Sequence, residues 1–245
     1  MEYDYKNGKI RVLDIIDSPN ENVEVDEIPS NKAFTFKNGF YGYVSSIFVD
    51  IRNSTELFKN NRKKSTAKII RSFTSEIITI LNKVPNRREI GIRGDCVYAI
   101  YAASNADIDL EIFEAAIYIN TYLKMLNTIL ANKQMPTIEA GIGVSTHQDL
   151  VIKAGRESSG VHSKVWIGEA VTFASKLSNK SKKNNFGPIL ISAEFYNSII
   201  NQYIENNSNY KSSWFKQIQD ADLGTIYSCT LVKSEFDEWI DGGMK

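Results

Sequence analysis

Hydrophobic and polar residues follow a regular order from residue 44 onward, first as a strand and then as a helix. Residues 44–49 form a short apolar run rich in β-branched side chains, which is typical of a buried strand. Residues 65–84 carry apolar side chains at the spacing of one helix face, and Pro85 ends that helix. The regular part of the chain therefore begins as a strand followed by an amphipathic helix.

A hairpin and a second helix come next. Residues 89–93 and 96–102 are predicted as strands, and Gly94 and Asp95 are turn formers suited to the connection between them. A long helix is predicted over about residues 109–132, where apolar residues again recur along one side.

The remaining pattern completes a mixed fold. Residues 138–144 alternate as a half-buried strand, and we expect residues 149–155 to pair back on it. The order strand, helix, hairpin, helix, strand is that of a ferredoxin-like α+β fold. Further elements predicted downstream are a short helix within residues 168–181, a strand at 188–192, a helix at 193–203, and strands at 214–218 and 225–232.

The same patterns divide the chain into three segments. Residues 1–40 are predicted to be an N-terminal extension, residues 41–233 the main domain, and residues 234–245 a C-terminal tail. Within the extension, residues 10–16 are predicted as a strand that precedes an acidic linker containing proline.

The composition is that of a globular chain without net charge. Of its 245 residues, 42% are hydrophobic, and 29 Lys and Arg residues balance 29 Asp and Glu residues. This balance lacks the broad positive field of proteins that bind long nucleic acids, but it permits a small anionic ligand held by local cations. Cys96 and Cys229 lie in apolar runs without metal-ligand spacing, so we interpret them as reduced core residues. No signal-like or membrane-length apolar run is present in the sequence, so a soluble, cytoplasmic protein is expected.

Two carboxylates occupy positions that suit a metal site. Asp50 ends the first core strand, and Asp95 lies in the turn of the hairpin. Neighbouring strands would bring these groups together, and two close carboxylates repel each other unless a cation lies between them. Mg²⁺ or Mn²⁺ would suit such a site, because these ions bridge carboxylates to substrate phosphates. Taken singly, Asp50 is better explained as a helix cap and Asp95 as a turn residue, but together, in this strand context, they favour metal binding.

Three stretches of sequence resemble the landmarks of the class III nucleotidyl cyclases: "FVDIRNST", "IRGDCVYAIY" and "VWIGEAVTFASKLS". The resemblance covers about residues 43–232. It implies a ferredoxin-like cyclase catalytic domain that works as a head-to-tail homodimer, with the active site at the interface. It also implies two divalent metal ions, Mn²⁺ or Mg²⁺, bound by Asp50, Asp95 and the backbone carbonyl of Ile51.

The implied reaction is attack of a ribose 3′-hydroxyl on the α-phosphate of a nucleoside triphosphate. By the resemblance, the backbone N–H groups of Asn53, Ser54 and Thr55 would bind the triphosphate at a helix start. Thr172 and Lys176 match a family Asn and Arg that lie four residues apart. Thr172 could still bind ribose, and Lys176 keeps a cation for the transition state without the bidentate fork of arginine. A solvated helix lysine is the alternative for Lys176, and Lys216 is a weak match to the family's triphosphate lysine.

The positions that read a purine base depart from the family pattern. They fall on Gly91 and Val165, neither of which can distinguish adenine from guanine by hydrogen bonding. Arg93 is predicted by strand alternation to lie on the same face as Asp95. Its guanidinium could donate to a pyrimidine carbonyl or to a phosphate, or else pair with a surface carboxylate.

A class III core without purine readers is similar to the pyrimidine cyclases of bacterial Pycsar antiphage systems. That resemblance implies conversion of UTP or CTP into cyclic UMP or cyclic CMP, which activates a separate antiviral effector. UTP is the expected substrate in preference to CTP because cyclic UMP is the more frequent product in that family. No residue of this chain decides between the two. The alternatives are a cytidylate cyclase, an adenylate cyclase with atypical base contacts, and an inactive cyclase-like domain that senses nucleotides. No membrane or nucleic-acid polymer is expected as a partner.

Overall fold

A mixed β-sheet forms the centre of the computed structural model, which describes residues 2–59, 63–103, 105–183, 185–205 and 211–245. Over these residues the strands are β1 (Glu21–Glu24), β2 (Asn38–Ile51), β3 (Arg87–Arg93), β4 (Cys96–Ala102), β5 (Ala140–Arg156), β6 (Val161–Ile167), β7 (Ile189–Ser192), β8 (Phe215–Asp220) and β9 (Gly224–Cys229). The helices are α1 (Tyr5–Ile16), α2 (Ser54–Lys59), α3 (Lys63–Leu81), α4 (Ala106–Asn132), α5 (Glu169–Lys180), α6 (Ala193–Glu205) and α7 (Ser234–Asp241).

The strands run in the order β3-β4-β2-β5-β7-β9-β8, with β1 beside β2 and β6 beside β5. β2 lies in the middle and pairs antiparallel with both β4 and β5. The predicted sequence of strand, helix, hairpin, helix and strand is confirmed, and so is the hairpin turn at Gly94 and Asp95.

The two faces of the sheet carry different layers. Helices α3, α4 and α6 bury the main apolar core on one face, where Ile47 and Val49 of β2 meet Phe73 and Phe113. The opposite face is covered by α5 and by residues of the N-terminal segment. The smaller cluster there is formed by Ile28, Phe34, Val44, Ile100, Ala102, Val151 and Ala170. Successive residues of β2 therefore point alternately into two apolar layers.

The predicted strand at residues 10–16 is wrong, because these residues belong to helix α1. The Asp4 side chain accepts a hydrogen bond from the backbone N–H of Asn7 and so caps the helix start. In so short a segment, a few apolar residues fit the period of a strand as well as that of a helix. The capped helix start decides in favour of the helix. The N-terminal extension does contain a strand, β1, which follows α1 along the chain and pairs parallel with β2.

Residues 149–155 do not pair back on residues 138–144, because both stretches belong to the single long strand β5. One continuous register joins β5 to β2, and the returning strand is β6. The first half of β5 is also fully buried rather than half-buried. Gly143 lies so close to α5 that an added Cβ would lie 2.1 Å from the carbonyl oxygen of Ala174.

The last twelve residues contain helix α7, which packs against α4. Asp237 and Asp241 of α7 each lie 2.8 Å from the ammonium of Lys124 on α4. None of the helices in the described part of the chain is long and apolar enough to cross a membrane.

Candidate nucleotide-binding site

Asp50 and Asp95 are brought together where β2 meets the β3–β4 hairpin. Asp50 is paired with Cys96 across the β2–β4 ladder, and Asp95 is the preceding residue in the turn. Burial raises the pKa of the Asp50 carboxyl, and the nearby charge of Asp95 raises it further. Arg52 and Lys183 act in the opposite direction. The predicted convergence of the two carboxylates is therefore present in the fold.

The donor atoms at this edge suit a hard divalent cation. The β2–β4 ladder ends at Asp50, one residue before Ile51. Two carboxylates and a carbonyl oxygen form an all-oxygen set of the kind that Mg²⁺ and Mn²⁺ prefer. Within the described ranges, no group of three or more His, Cys, Asp or Glu side chains is arranged to hold a metal ion. Mg²⁺ commonly binds one or two protein carboxylates and completes its coordination with water and substrate phosphates.

Arg52 is a charged residue of this site that the sequence did not single out. Its side chain is only 7% exposed, and Nη1 lies 3.9 Å from an Asp50 carboxylate oxygen. Nε and Nη2 are buried without a hydrogen-bond partner among the described residues. Burial lowers the pKa of the guanidinium, while the Asp50, Glu139 and Asp95 carboxylates oppose that change. Arg52 thus places a fixed positive charge beside the acidic pair.

The segment after the acidic strand turns sharply into a short helix. Asn53 has a φ of 51°, in the left-handed region that asparagine tolerates better than most residues. Helix α2 begins at Ser54, and the Glu56 backbone N–H donates to the Asn53 carbonyl at 2.9 Å. Asn53, Ser54 and Thr55 therefore lie in the turn that directly follows the acidic strand.

Rows of side chains cross the three strands on the face that α5 covers. Arg93 lies opposite Cys96, which lies opposite Asp50, so Arg93 and Asp50 share this face. The rows that continue along the sheet are Gly91, Tyr98 and Phe48, and then Glu89, Ile100 and Ser46.

A cavity of about 480 Å³ opens on this face and brings Arg93 and Val165 together. Val165 belongs to β6, which folds back along β5. Phe48 and Tyr98 also line the cavity, and their rings are stacked at a centroid distance of 5.2 Å and an angle of 16°. A flat aromatic surface and a guanidinium in one cavity are suited to a planar base with carbonyl groups.

Gly91 leaves no space for a longer side chain. A Cβ at residue 91 would lie 2.7 Å from the ring of Tyr98. The Tyr98 ring therefore covers the position that the sequence resemblance matched to a purine-reading residue.

Comparison with curated proteins gives full-length matches. The chain is 47% identical over 244 residues to a uridylate cyclase of Treponema porcinum, a match covering 100% of this chain and 83% of that protein. It is 34% identical over 249 residues to a uridylate cyclase of Gulbenkiania mobilis, covering 98% of this chain and 96% of the relative. The chain belongs to the uridylate cyclase family. No sequence profile of a protein family matches it.

The chain also shares its fold with solved cyclase structures. The adenylyl cyclase CyaB from P. aeruginosa superposes with a TM-score of 0.65 at 18% identity, covering 80% of this chain and 97% of that one. The predicted class III fold is confirmed by this likeness.

The other predicted site residues of this family member lie apart from the cavity. Thr172 is exposed on α5, and its hydroxyl donates to the Gly168 carbonyl at 3.0 Å. Lys176, one turn later, is also exposed, with its ammonium 5.9 Å from the centre of the Phe173 ring. Lys216 is exposed on β8, at the opposite end of the sheet from β3. The described residues that line the cavity include none of these three.

Two functional candidates besides Arg52 had no clear signal in the sequence. Glu89 and Trp166 line the cavity and are hydrogen-bonded to each other at 2.8 Å. The fold-back of β6 along β5 brings Trp166 to Glu89, and no local motif encodes that pairing.

Proposed function

We propose that this chain converts UTP into 3′,5′-cyclic UMP and pyrophosphate. The observation that carries the proposal is the match along the whole chain to two uridylate cyclases. Two features give that activity a structural basis. The acidic pair suits a metal-bound triphosphate, and the neighbouring cavity suits a small base.

Asp50, Asp95 and the carbonyl of Ile51 would hold two divalent cations, Mn²⁺ or Mg²⁺. When bound, these ions would activate the ribose 3′-hydroxyl and neutralise charge on the phosphates. Arg52 limits the mutual repulsion of the two carboxylates, because its buried charge lies beside Asp50. The Arg52 charge thereby opposes the rise in the Asp50 pKa that burial and the Asp95 charge cause.

The phosphates and the ribose would be held by residues on three elements. The N–H groups of Asn53, Ser54 and Thr55 would bind the triphosphate after the acidic strand, and Lys216 of the partner subunit would add a positive charge from β8. Thr172 would hydrogen-bond the ribose, and Lys176 would offset the charge that develops on the α-phosphate.

A head-to-tail homodimer would complete the site. Thr172 and Lys176 are exposed on α5 and do not line the cavity of their own chain. In such a dimer, α5 of one chain would lie over the acidic pair of its partner. We further propose that the product activates a separate effector in an antiphage response.

The base would be read in the cavity beside Gly91 and Val165. Arg93 would donate to a carbonyl oxygen of the pyrimidine, while the stacked rings of Phe48 and Tyr98 would contact its face. Cytidylate cyclase activity is the second candidate function, because cytosine also carries a carbonyl that Arg93 can bind.

The test is a panel of the four nucleoside triphosphates with Mn²⁺ or Mg²⁺, with the products identified by mass spectrometry. Cyclic UMP is expected as the main product. Cyclic CMP or cyclic AMP as the main product would refute the proposal. The Asp50→Ala variant should form no product, and activity equal to the wild type would contradict the metal role of Asp50.

A further inference from the structure

The carboxylate of Glu89 is held in a fixed orientation at the wall of the cavity. The Tyr98 hydroxyl donates to one of its oxygens at 2.7 Å, and the Trp166 indole N–H donates to the other at 2.8 Å. An ionised carboxylate has about four acceptor positions, so two donors leave each oxygen able to accept another hydrogen bond. Glu89 therefore presents a preorganised acceptor.

Strand alternation directs Glu89 toward the cavity. Glu89, Gly91 and Arg93 are each two residues apart on β3, and Glu89 lies opposite Ile100 on the face that α5 covers. A β-bulge lies directly beside Glu89, because the β3–β4 register shifts between Arg87 and Glu89 and leaves Arg88 as the extra residue. Bulges are frequent beside active sites.

Arg88 is fixed by three contacts. Its Nε donates to the Ile28 carbonyl at 2.9 Å, and its guanidinium lies 2.6 Å from the Glu27 carboxylate. The Lys164 ammonium donates to the Arg88 carbonyl at 2.8 Å. The N-terminal segment and β6 thus hold the bulge residue that directly precedes Glu89 from two sides.

The cavity combines this acceptor with a donor at the same strand. Glu89 and Arg93 both line it, two strand positions on either side of Gly91. Uracil presents a matching edge, in which the N3–H donor lies between two carbonyl acceptors. Cytosine presents an unprotonated N3 at the same place, whose lone pair would face a carboxylate.

We propose that Glu89 is a specificity-determining residue, whose carboxylate accepts a hydrogen bond from the N3–H of uracil while Arg93 donates to an adjoining carbonyl. This inference rests on the proposed function. A site built to hydrogen-bond a particular N–H rejects an analogue that lacks it, and with cytosine the Glu89 carboxylate would face the N3 lone pair instead of a donor.

The first experiment compares kcat/KM for UTP and CTP in the wild type and in Glu89→Gln. The Gln amide can donate to cytosine N3, so we expect the UTP-to-CTP ratio to fall by at least about tenfold. Tyr98→Phe is the matched control, because it removes a donor that holds Glu89 but keeps the carboxylate. That variant should lose activity while retaining its preference for UTP. An unchanged ratio in Glu89→Gln would overturn the inference.

The second experiment uses only the wild-type chain, so it does not depend on a variant that folds. The substrate is 3-methyluridine 5′-triphosphate, which lacks the N3–H. Its kcat/KM should be at least about a hundredfold below that of UTP. Equal turnover of the two would overturn the inference alone, whereas a wild-type chain that makes no cyclic UMP from UTP would overturn the proposed function and this inference with it.

Discussion

The ring of Tyr98 lies over the Cα of Gly91, at a position where an added Cβ would be only 2.7 Å away. The same tyrosine stacks on Phe48 and donates to Glu89. One side chain therefore fills the space above Gly91, forms part of the aromatic surface and fixes a polar group of the cavity. The absence of a side chain at residue 91 is what permits all three.

Gly91→Ala should displace the Tyr98 ring and lower kcat/KM for UTP by at least about tenfold, since real side chains do not approach a ring this closely. Cyclic UMP formation measures the effect. Gly224→Ala is the control, because Gly224 has a φ of 68° and open space around its Cα in the β8–β9 turn. That change should lower thermal stability slightly through backbone strain and leave kcat/KM unchanged. Wild-type activity in Gly91→Ala would show that the ring position is unimportant.

The long periodic elements of this fold were predictable from the sequence, whereas long-range pairings were not. Helices α3 and α4 and the β3–β4 hairpin follow from hydrophobic period and turn residues. Residues 149–155 continue β5 instead of returning, because β2 is long enough to pair with both halves. No local pattern records the length of a partner strand, so that prediction failed.

The candidate site also contains residues that local sequence predicts and residues that only the folded chain reveals. Asp50, Asp95 and Arg93 were predictable, since strand ends, turns and alternation are local features. Glu89 lies on the same strand alternation as Arg93, but its hydrogen bond to Trp166 depends on the fold-back of β6, which no local pattern records. Arg52 was missed for a related reason: only the packed structure shows that its guanidinium is buried.

Asp50→Asn and Asp95→Asn should each lower cyclic UMP formation by at least about a hundredfold, because each removes a carboxylate from the proposed cation site. Binding can be followed without turnover. Mn²⁺ should raise the melting temperature of the wild type and not that of Asp50→Asn, since a ligand that binds the folded state stabilises it. Asp14→Asn, on the exposed side of α1, is the control and should behave as the wild type. An equal Mn²⁺-dependent shift in Asp50→Asn would argue against cation binding at this pair.

Lys176→Ala should lower kcat by about a hundredfold with a smaller change in KM, because a charge that acts on the transition state contributes mainly to the chemical step. Lys176→Arg keeps the charge and should retain kcat within about tenfold of the wild type. Steady-state rates with UTP provide both values. Lys68→Ala removes an exposed lysine from α3 and serves as the control. A wild-type kcat in Lys176→Ala would instead identify Lys176 as a solvated surface residue.

Asp109 predicts a pH dependence of stability that is independent of the site. Its carboxylate is buried on α4 and accepts hydrogen bonds from the hydroxyls of Ser45 and Ser198. Burial raises its pKa to about 6, and the two hydroxyls only partly offset this. Because the ordinary value is 3.8, the folded chain binds more protons than the unfolded chain between about pH 4 and 6. The free energy of unfolding should therefore fall as the pH rises through this window, by up to about 3 kcal/mol from this group.

Asp109→Asn removes that titration, so the wild type should gain stability relative to the variant as the pH falls from about 6.5 to 4.5. Urea unfolding at several pH values measures the difference. Asp107→Asn changes an exposed carboxyl in the first turn of the same helix and should leave the pH dependence of the wild type intact. A stability difference between wild type and Asp109→Asn that stays constant with pH would show that Asp109 does not titrate in this range. Asp109 lies on the face of the sheet that α3, α4 and α6 cover, whereas Asp50 points to the opposite face. Cation binding at Asp50 should therefore not alter the pH dependence that Asp109 causes.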